Sequence, residues 1–185
     1  MPRDGAAARA RLRDAALELY LARGYDATTT AQIAERAEVS ERTYFRHFAD
    51  KREVLFDGET ELREIMLGGI DAAPAGSGPL DLVLHAYRAA VPLLVEKRPI
   101  AERRAVVIAT APALQERALA KSAALMEAVM GAIVARGFPE GSSRLAARIG
   151  AAVFERASRE WGSDPGRDLV ELIDRAADEA AALRT

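Results

Sequence analysis

The chain contains no cysteine, which excludes disulfide bridges and thiolate metal sites. Its two histidines, His47 and His85, lie too far apart to form a ligand cluster, and no metal or cofactor is expected. Only 5% of the residues are aromatic although 50% are hydrophobic, so the core must be largely aliphatic. Alternating polar and apolar residues, the mark of half-buried strands, are missing. No unbroken apolar run approaches the ~20 residues that span a bilayer, and the N-terminus lacks the apolar segment of a signal peptide. A cytoplasmic protein with no membrane partner is therefore expected. No carboxylate dyad or nucleophile–base pair has a readable signature, so no catalytic residue is assigned and no enzyme is expected. What is abundant is alanine, leucine, arginine and glutamate, all good helix formers. They predict an all-α protein, and 185 residues can bury a sizeable core beside a small module.

The formal net charge of −2 conceals an asymmetry. Residues 1–52 hold ten Arg and Lys against eight Asp and Glu, leaving sixteen against twenty for 53–185. The first part is thus net positive, a modest bias toward nucleic acid. Within it, the stretch 28–48, TTTAQIAERAEVSERTYFRHF, reads as two short helices at a sharp angle. Thr29 or Thr30 offers a hydroxyl N-cap, and Glu35 falls too late to close a capping box with either. Ile33, Ala34 and Ala37 share one face, Val39 plugs the turn, and Ser40 caps a second helix over 41–47. On that helix Tyr44 and Phe48 are placed to pack inward, leaving Ser40, Arg42, Thr43, Arg46 and His47 outward. So short a helix needs neighbours to hold it. Its free face suits base edges and phosphates in a major groove.

These residues carry a resemblance that runs over about 11–55. Ala16-Leu17-Glu18-Leu19-Tyr20, Gly24-Tyr25-Asp26-Ala27-Thr28-Thr29, Ile33-Ala34-Glu35-Arg36-Ala37, Val39-Ser40, Thr43, His47-Phe48, Lys51 and Leu55 follow one another without gaps. Together they resemble the tetracycline-repressor (TetR) family of bacterial transcription regulators. The resemblance implies an N-terminal three-helix helix-turn-helix DNA-binding domain, placed at 1–52, and a larger helical ligand-binding and dimerisation domain at 53–185. It also implies a homodimer on a palindromic operator in double-stranded DNA, acting as a repressor released by a small-molecule effector. Lys51 and Thr43 resemble the family's phosphate contacts. The family's usual tyrosine is Phe45 here, which lacks the phosphate-reaching hydroxyl but can touch a thymine methyl.

Taken in order, residues 1–8 read as a disordered tail. With Arg3, Arg9, Arg11 and Arg13 it is either plain solvated chain or an arm toward DNA. A helix over 8–23 has Leu12, Ala15, Ala16, Leu19 and Tyr20 on one stripe and ends at Gly24. Asp50 caps a helix from 51 to about 66, which Gly68 and Gly69 break, and 74–79 is a linker. A helix over 80–97 is kinked by Pro92 and ended by Pro99, with a shorter one over 100–109. Helices follow over 113–135, 142–161 and 167–183, the last two separated by a turn at 162–166.

The DNA-contact set is Thr29, Thr30, Gln32, Ser40, Arg42, Thr43, Phe45, His47 and Lys51, with Arg42 placed to read guanine. Glu41 favours the positive end of its helix. Candidate cavity residues are Met66, His85, Tyr87, Arg88, Arg104, Met126, Met130, Phe154 and Trp161. The methionines, Pro92 and the scarcity of buried charge predict a largely hydrophobic effector. The last two helices have more apolar surface than one core needs. Ala146, Ile149, Gly150, Val153, Ala157, Leu169, Leu172, Ile173 and Ala176 are expected at the dimer interface, and the family resemblance implies that the paired helices form a four-helix bundle. The competing readings are an activator, an effector-independent regulator, and a helical small-molecule-binding protein or enzyme with a vestigial DNA module.

Overall fold

The computed structural model describes residues 2–164 and 166–183, with side chains from residue 5 onward. The Arg3 side chain and Pro165 of the last turn lie outside them. Among the described residues the chain is helical without strands: α1 Pro2–Arg23, α2 Thr30–Arg36, α3 Glu41–His47, a short 3-10 turn Glu53–Phe56, α4 Glu59–Asp71, α5 Pro79–Thr110, α6 Pro112–Ala135, α7 Glu140–Ser163 and α8 Leu169–Ala182. They form two compact units, one of residues 1–59 and 97–121, the other of 60–96 and 122–185. Helices α5 and α6 contribute to both. This division differs from a single boundary after residue 52.

In the first unit, α1 buries the expected stripe of Leu12, Ala15, Ala16, Leu19 and Tyr20. Ile33, Ala34 and Ala37 of the α2 segment, and Tyr44 and Phe48 of the α3 segment, complete the same core. Val107, Ala111 and Leu114 join it from α5 and α6. The first helix starts at Pro2 rather than at residue 8, because Ala8 is itself buried and anchors its first turns. The helix expected from 51 is a 3-10 turn followed by α4. Asp50 Oδ1 does accept from the backbone N–H of Arg52 and Glu53. Gly58, at φ +97°, then turns the chain in a conformation that side-chain-bearing residues disfavour.

In the second unit Met66, Ile70, Leu82, Val83, Val129, Ile133, Leu172 and Ile173 lie in a second aliphatic core. Gly68 and Gly69 do not break α4. A Cβ on Gly69 would meet the Ala89 Cβ at 2.7 Å, so its absence lets α4 approach α5 closely. Pro99 does not end a helix, since α5 runs for 32 residues through both Pro92 and Pro99. Each proline removes one backbone donor, and the packing along the helix outweighs that loss. Proline instead occupies the first residue of α5 and of α6, where its missing N–H would have had no helical partner. An 18-residue window in α6 has mean hydropathy 1.6 and meets the length and composition of a membrane span, with 11% of it buried. A search for unbroken apolar runs passes over it because Lys121 and Glu127 interrupt the segment. Asp168 caps α8 by accepting from Val170 N–H at 2.6 Å.

Candidate nucleic-acid interface and apolar cavity

The α2–α3 hairpin is held by polar groups that reach backbone atoms. Tyr20 Oη donates to the Lys51 carbonyl at 2.8 Å and Tyr44 Oη to the Asp50 carbonyl at 3.2 Å. Burial pushes both phenols above the ordinary tyrosine range, so both remain protonated donors. Thr28 Oγ1 donates to Gly24 O at 2.8 Å, and Arg11 Nε to Ala37 O at 3.1 Å. Lys51 Nζ donates to Tyr25 O at 2.7 Å and to Thr28 O at 2.9 Å, 4.0 Å from the centre of the Tyr25 ring. Burial pulls that ammonium below the usual lysine range. Lys51 therefore clamps the turn before α2, a role its spacing did not reveal, and two of its three N–H donors are already committed.

Several expected contact residues have structural partners too. Thr29 caps α2 by accepting from Gln32 N–H at 3.2 Å, while Gln32 Oε1 accepts from Thr29 N–H at 3.0 Å. This capping box was missed by looking to Glu35, since Gln32 stands at the third helical position and its amide oxygen serves as well as a carboxylate. Thr30 Oγ1 donates to Glu41 Oε1 at 2.6 Å, joining the starts of α2 and α3. Ser40 Oγ accepts from Thr43 N–H at 3.1 Å and lies 3.0 Å from Thr43 Oγ1. Arg42 and Arg46 are exposed and make no ion pair among the described residues. Phe45 is 53% exposed, edge-on to Tyr44.

His47 does not point outward as expected. Its Nε2 is buried without a hydrogen-bond partner among the described residues, and its Cε1 lies where a side chain on Gly5 would touch it. Burial, together with Arg46 and Arg9, holds its pKa below the usual histidine value. Arg9 and Arg13 of the basic segment are engaged as well. Arg9 lies over the Phe48 ring and pairs with Asp57 at 2.8 Å, while Arg13 reaches the same carboxylate at 3.5 Å.

The second unit contains a cavity of about 580 Å³ with a predominantly apolar lining. Of the expected cavity residues, Met66, Tyr87, Met126 and Phe154 line it. The Tyr87 and Phe154 rings stack at 4.4 Å, and Tyr87 Oη donates to Met126 Sδ at 3.8 Å. The other five do not line it. Arg88 pairs with Asp174 at 2.8 Å, Arg104 belongs to the other unit and donates to Leu55 O, and Met130 and Trp161 pack against the core. His85 stays half-buried on α5. The lining residues the sequence reading missed are Leu62, Ala90, Leu94, Ser122, Leu125, Ala151, Glu155, Ser158 and Arg159. Helical spacing was the available signal, since Ala151, Glu155 and Ser158 follow one stripe of α7 with Phe154 beside it.

The residues expected at a pairing surface have another place. Ala146, Gly150, Val153 and Ala157 of α7 and Leu169, Leu172, Ile173 and Ala176 of α8 are buried within the protomer. A Cβ on Gly150 would sit 2.2 Å from Val83 Cγ1, so this face of α7 meets α5 rather than a partner. Of the nine only Ile149 keeps appreciable exposure. Apolar periodicity marks a buried face without saying what buries it. Across α7 and α8, Glu160 draws in Arg156, Arg167 and Arg175, which hold its carboxyl down at about 2.

The family model described as bacterial regulatory proteins, tetR family, matches residues 12–57, and the MftR C-terminal domain model matches 77–184. The chain is similar to the HTH-type transcriptional regulator TcmR of Streptomyces glaucescens, 49% identical over 74 residues that cover 40% of this chain and 33% of that protein. The match thus spans about a third of that relative's length. Its fold is similar to Thermus thermophilus FadR, a transcriptional repressor in complex with lauroyl-CoA, with TM-score 0.58, 23% identity and coverage of 94% and 93% of the two chains. It is also similar to SmeT in its triclosan complex, with TM-score 0.63, 19% identity and coverage of 96% and 91%.

Proposed function

The chain belongs to the TetR family of bacterial regulatory proteins, and we propose that it is a cytoplasmic, effector-released repressor that binds a palindromic operator as a homodimer. The observation that carries this reading is the α3 surface. Ser40, Arg42, Phe45 and Arg46 face solvent on a hairpin whose every turn is fastened from behind, the arrangement a groove-reading helix needs. Arg42 has no partner among the described residues to give up and is placed for guanine; Phe45 offers an apolar edge to a thymine methyl. A palindrome follows because one short helix reads only a few base pairs, and two heads one duplex turn apart multiply the discrimination.

Residues 1–52 carry the DNA contacts in this reading, and 53–185 the effector site and dimer surface. Pairing falls to the outer face of the last two helices, where Leu145, at 60% exposure, shares a stripe with Ile149 and Ala152 on α7. The effector site is the apolar cavity, and FadR and SmeT, whose folds are similar, hold lauroyl-CoA and triclosan. Effector binding and DNA binding then oppose each other by one reciprocal coupling.

Fluorescence anisotropy on the DNA upstream of the protein's own gene tests the reading, against a scrambled duplex and across a salt series. Sequence-selective binding that weakens steeply with salt is expected. Arg42→Ala should cost about 1–3 kcal/mol on the preferred site and relax preference at one base position. Equal affinity for both duplexes would count against the reading.

A further inference from the structure

Resting on the reading of the second unit as an effector-binding domain, we propose that its cavity takes an uncharged, mainly apolar molecule presenting a carbonyl-type oxygen to the hydroxyls of Ser158 and Tyr87. Most of the lining is aliphatic or aromatic, with Met66, Tyr87 and Ala90 buried around it. Ser158 is the exception. Its Oγ is buried and has no hydrogen-bond partner among the described residues, whereas buried hydroxyls in proteins are almost always paired. Ser158 is a lining residue whose hydroxyl is turned into the wall, and rotation about its Cα–Cβ bond to another staggered position brings it to a ligand atom.

Tyr87 supplies a second donor that is poorly spent. Its hydroxyl donates only to the Met126 sulfur, at 3.8 Å, and a thioether is a weak acceptor. Stacking on Phe154 fixes the direction of the phenol. Burial pushes its pKa up to about 12, so it stays a donor at neutral pH. The Tyr87 proton is held only by a weak sulfur acceptor, so a ligand oxygen that accepts from Tyr87 improves on the present bond, whereas a ligand N–H would leave that proton on sulfur.

The charged lining residues argue for neutrality. Glu155 and Arg159 bond each other at 2.6 Å and are 71% and 73% exposed, so they form a solvated pair at the rim. No unmatched charge remains in the lining to offset the desolvation of an ionised ligand. The complement is therefore a ketone, ester or quinone on an apolar frame. A fatty acid anion or an amine does not meet it.

The test uses the full chain and the neutral fluorophore 6-propionyl-2-(dimethylamino)naphthalene, displaced by three competitors of nearly equal size. These are 2-acetylnaphthalene, its alkyl counterpart 2-ethylnaphthalene, and the anion 2-naphthoate. The ketone should displace the fluorophore at roughly three- to ten-fold lower concentration than the alkyl compound, the range of one or two net hydrogen bonds, and naphthoate should be weakest. Ser158→Ala combined with Tyr87→Phe should bring the ketone-to-alkyl ratio to about one. Ser158→Ala alone should narrow the ratio and raise the melting temperature of the free protein, because an unpaired buried hydroxyl is removed. Equal displacement by ketone and alkyl compound, a preference that survives both substitutions, or tightest binding by naphthoate would overturn the assignment while leaving an effector cavity in place. If the fluorophore and all three compounds fail to bind at millimolar concentration to protein that still binds DNA selectively, the cavity reading itself falls, and this assignment with it.

Discussion

The two units solve opposite problems. The first is small and presents a working surface, so its turns are fixed by directional bonds from Tyr20, Tyr44, Thr28, Arg11 and Lys51 to backbone carbonyls. The second encloses space, and close approach is achieved with Gly69, Gly150 and small alanines around aliphatic side chains. Precision in one comes from hydrogen bonds that cannot slide. In the other it comes from close packing around a cavity. Thr29, Thr30, Gln32 and Lys51, expected to touch DNA, also hold the hairpin, and eight of the nine residues expected to touch a partner are buried in their own chain.

The contrast breaks first at Val153. It is 3% exposed in the second unit, so Val153→Glu buries an unpartnered carboxylate at a cost of about 3–5 kcal/mol. Loss of the cooperative thermal transition by circular dichroism is expected, rather than a folded monomer. A well-folded monomer with an unchanged melting temperature would restore Val153 to the dimer surface.

Lys51→Met comes next. It removes two bonds to carbonyls while keeping the aliphatic stem, and should lower stability by about 1–3 kcal/mol. DNA affinity should drop by a similar factor on all duplexes, because the turn before α2 loosens. A stability unchanged in denaturant titration, with affinity still reduced, would return Lys51 to a pure phosphate contact.

His47 gives a pH signature of the first unit. Its folded pKa is depressed, so its contribution is present above the unfolded value of about 6.5 and is lost as pH falls through the lower folded value. Wild type should lose stability between neutral and mildly acidic pH by about 1 kcal/mol at most, since the ring is partly exposed. His47→Phe should flatten that segment of the curve. Parallel curves for the two proteins would show that His47 does not carry it.

The smallest effect concerns Glu38, which turns the chain between α2 and α3 at φ +55°. Glycine takes that conformation without a Cβ penalty, so Glu38→Gly should stabilise the protein by about 0.5–1 kcal/mol. A lower melting temperature would mean that the flexibility added to the unfolded chain outweighs the relief.

The sequence by itself determined the helical class, the hairpin at 28–48 and the inward set of Ile33, Ala34, Tyr44 and Phe48. These rest on local causes: helix propensity, a 3.6-residue period, and caps such as Ser40 that act within one turn. Family likeness was readable there because a groove-reading hairpin needs particular residues at fixed spacing. Only the tertiary structure decided that Lys51 clamps a turn, that Arg9 and Arg13 share Asp57, and that α5 continues past Pro92 and Pro99. It also decided that Val153 and Ile173 face their own chain, and that four of the nine expected cavity residues meet around one hole. Each of those depends on a neighbour distant in sequence. Periodicity tells which side of a helix is apolar, and only the packed chain tells what lies against it.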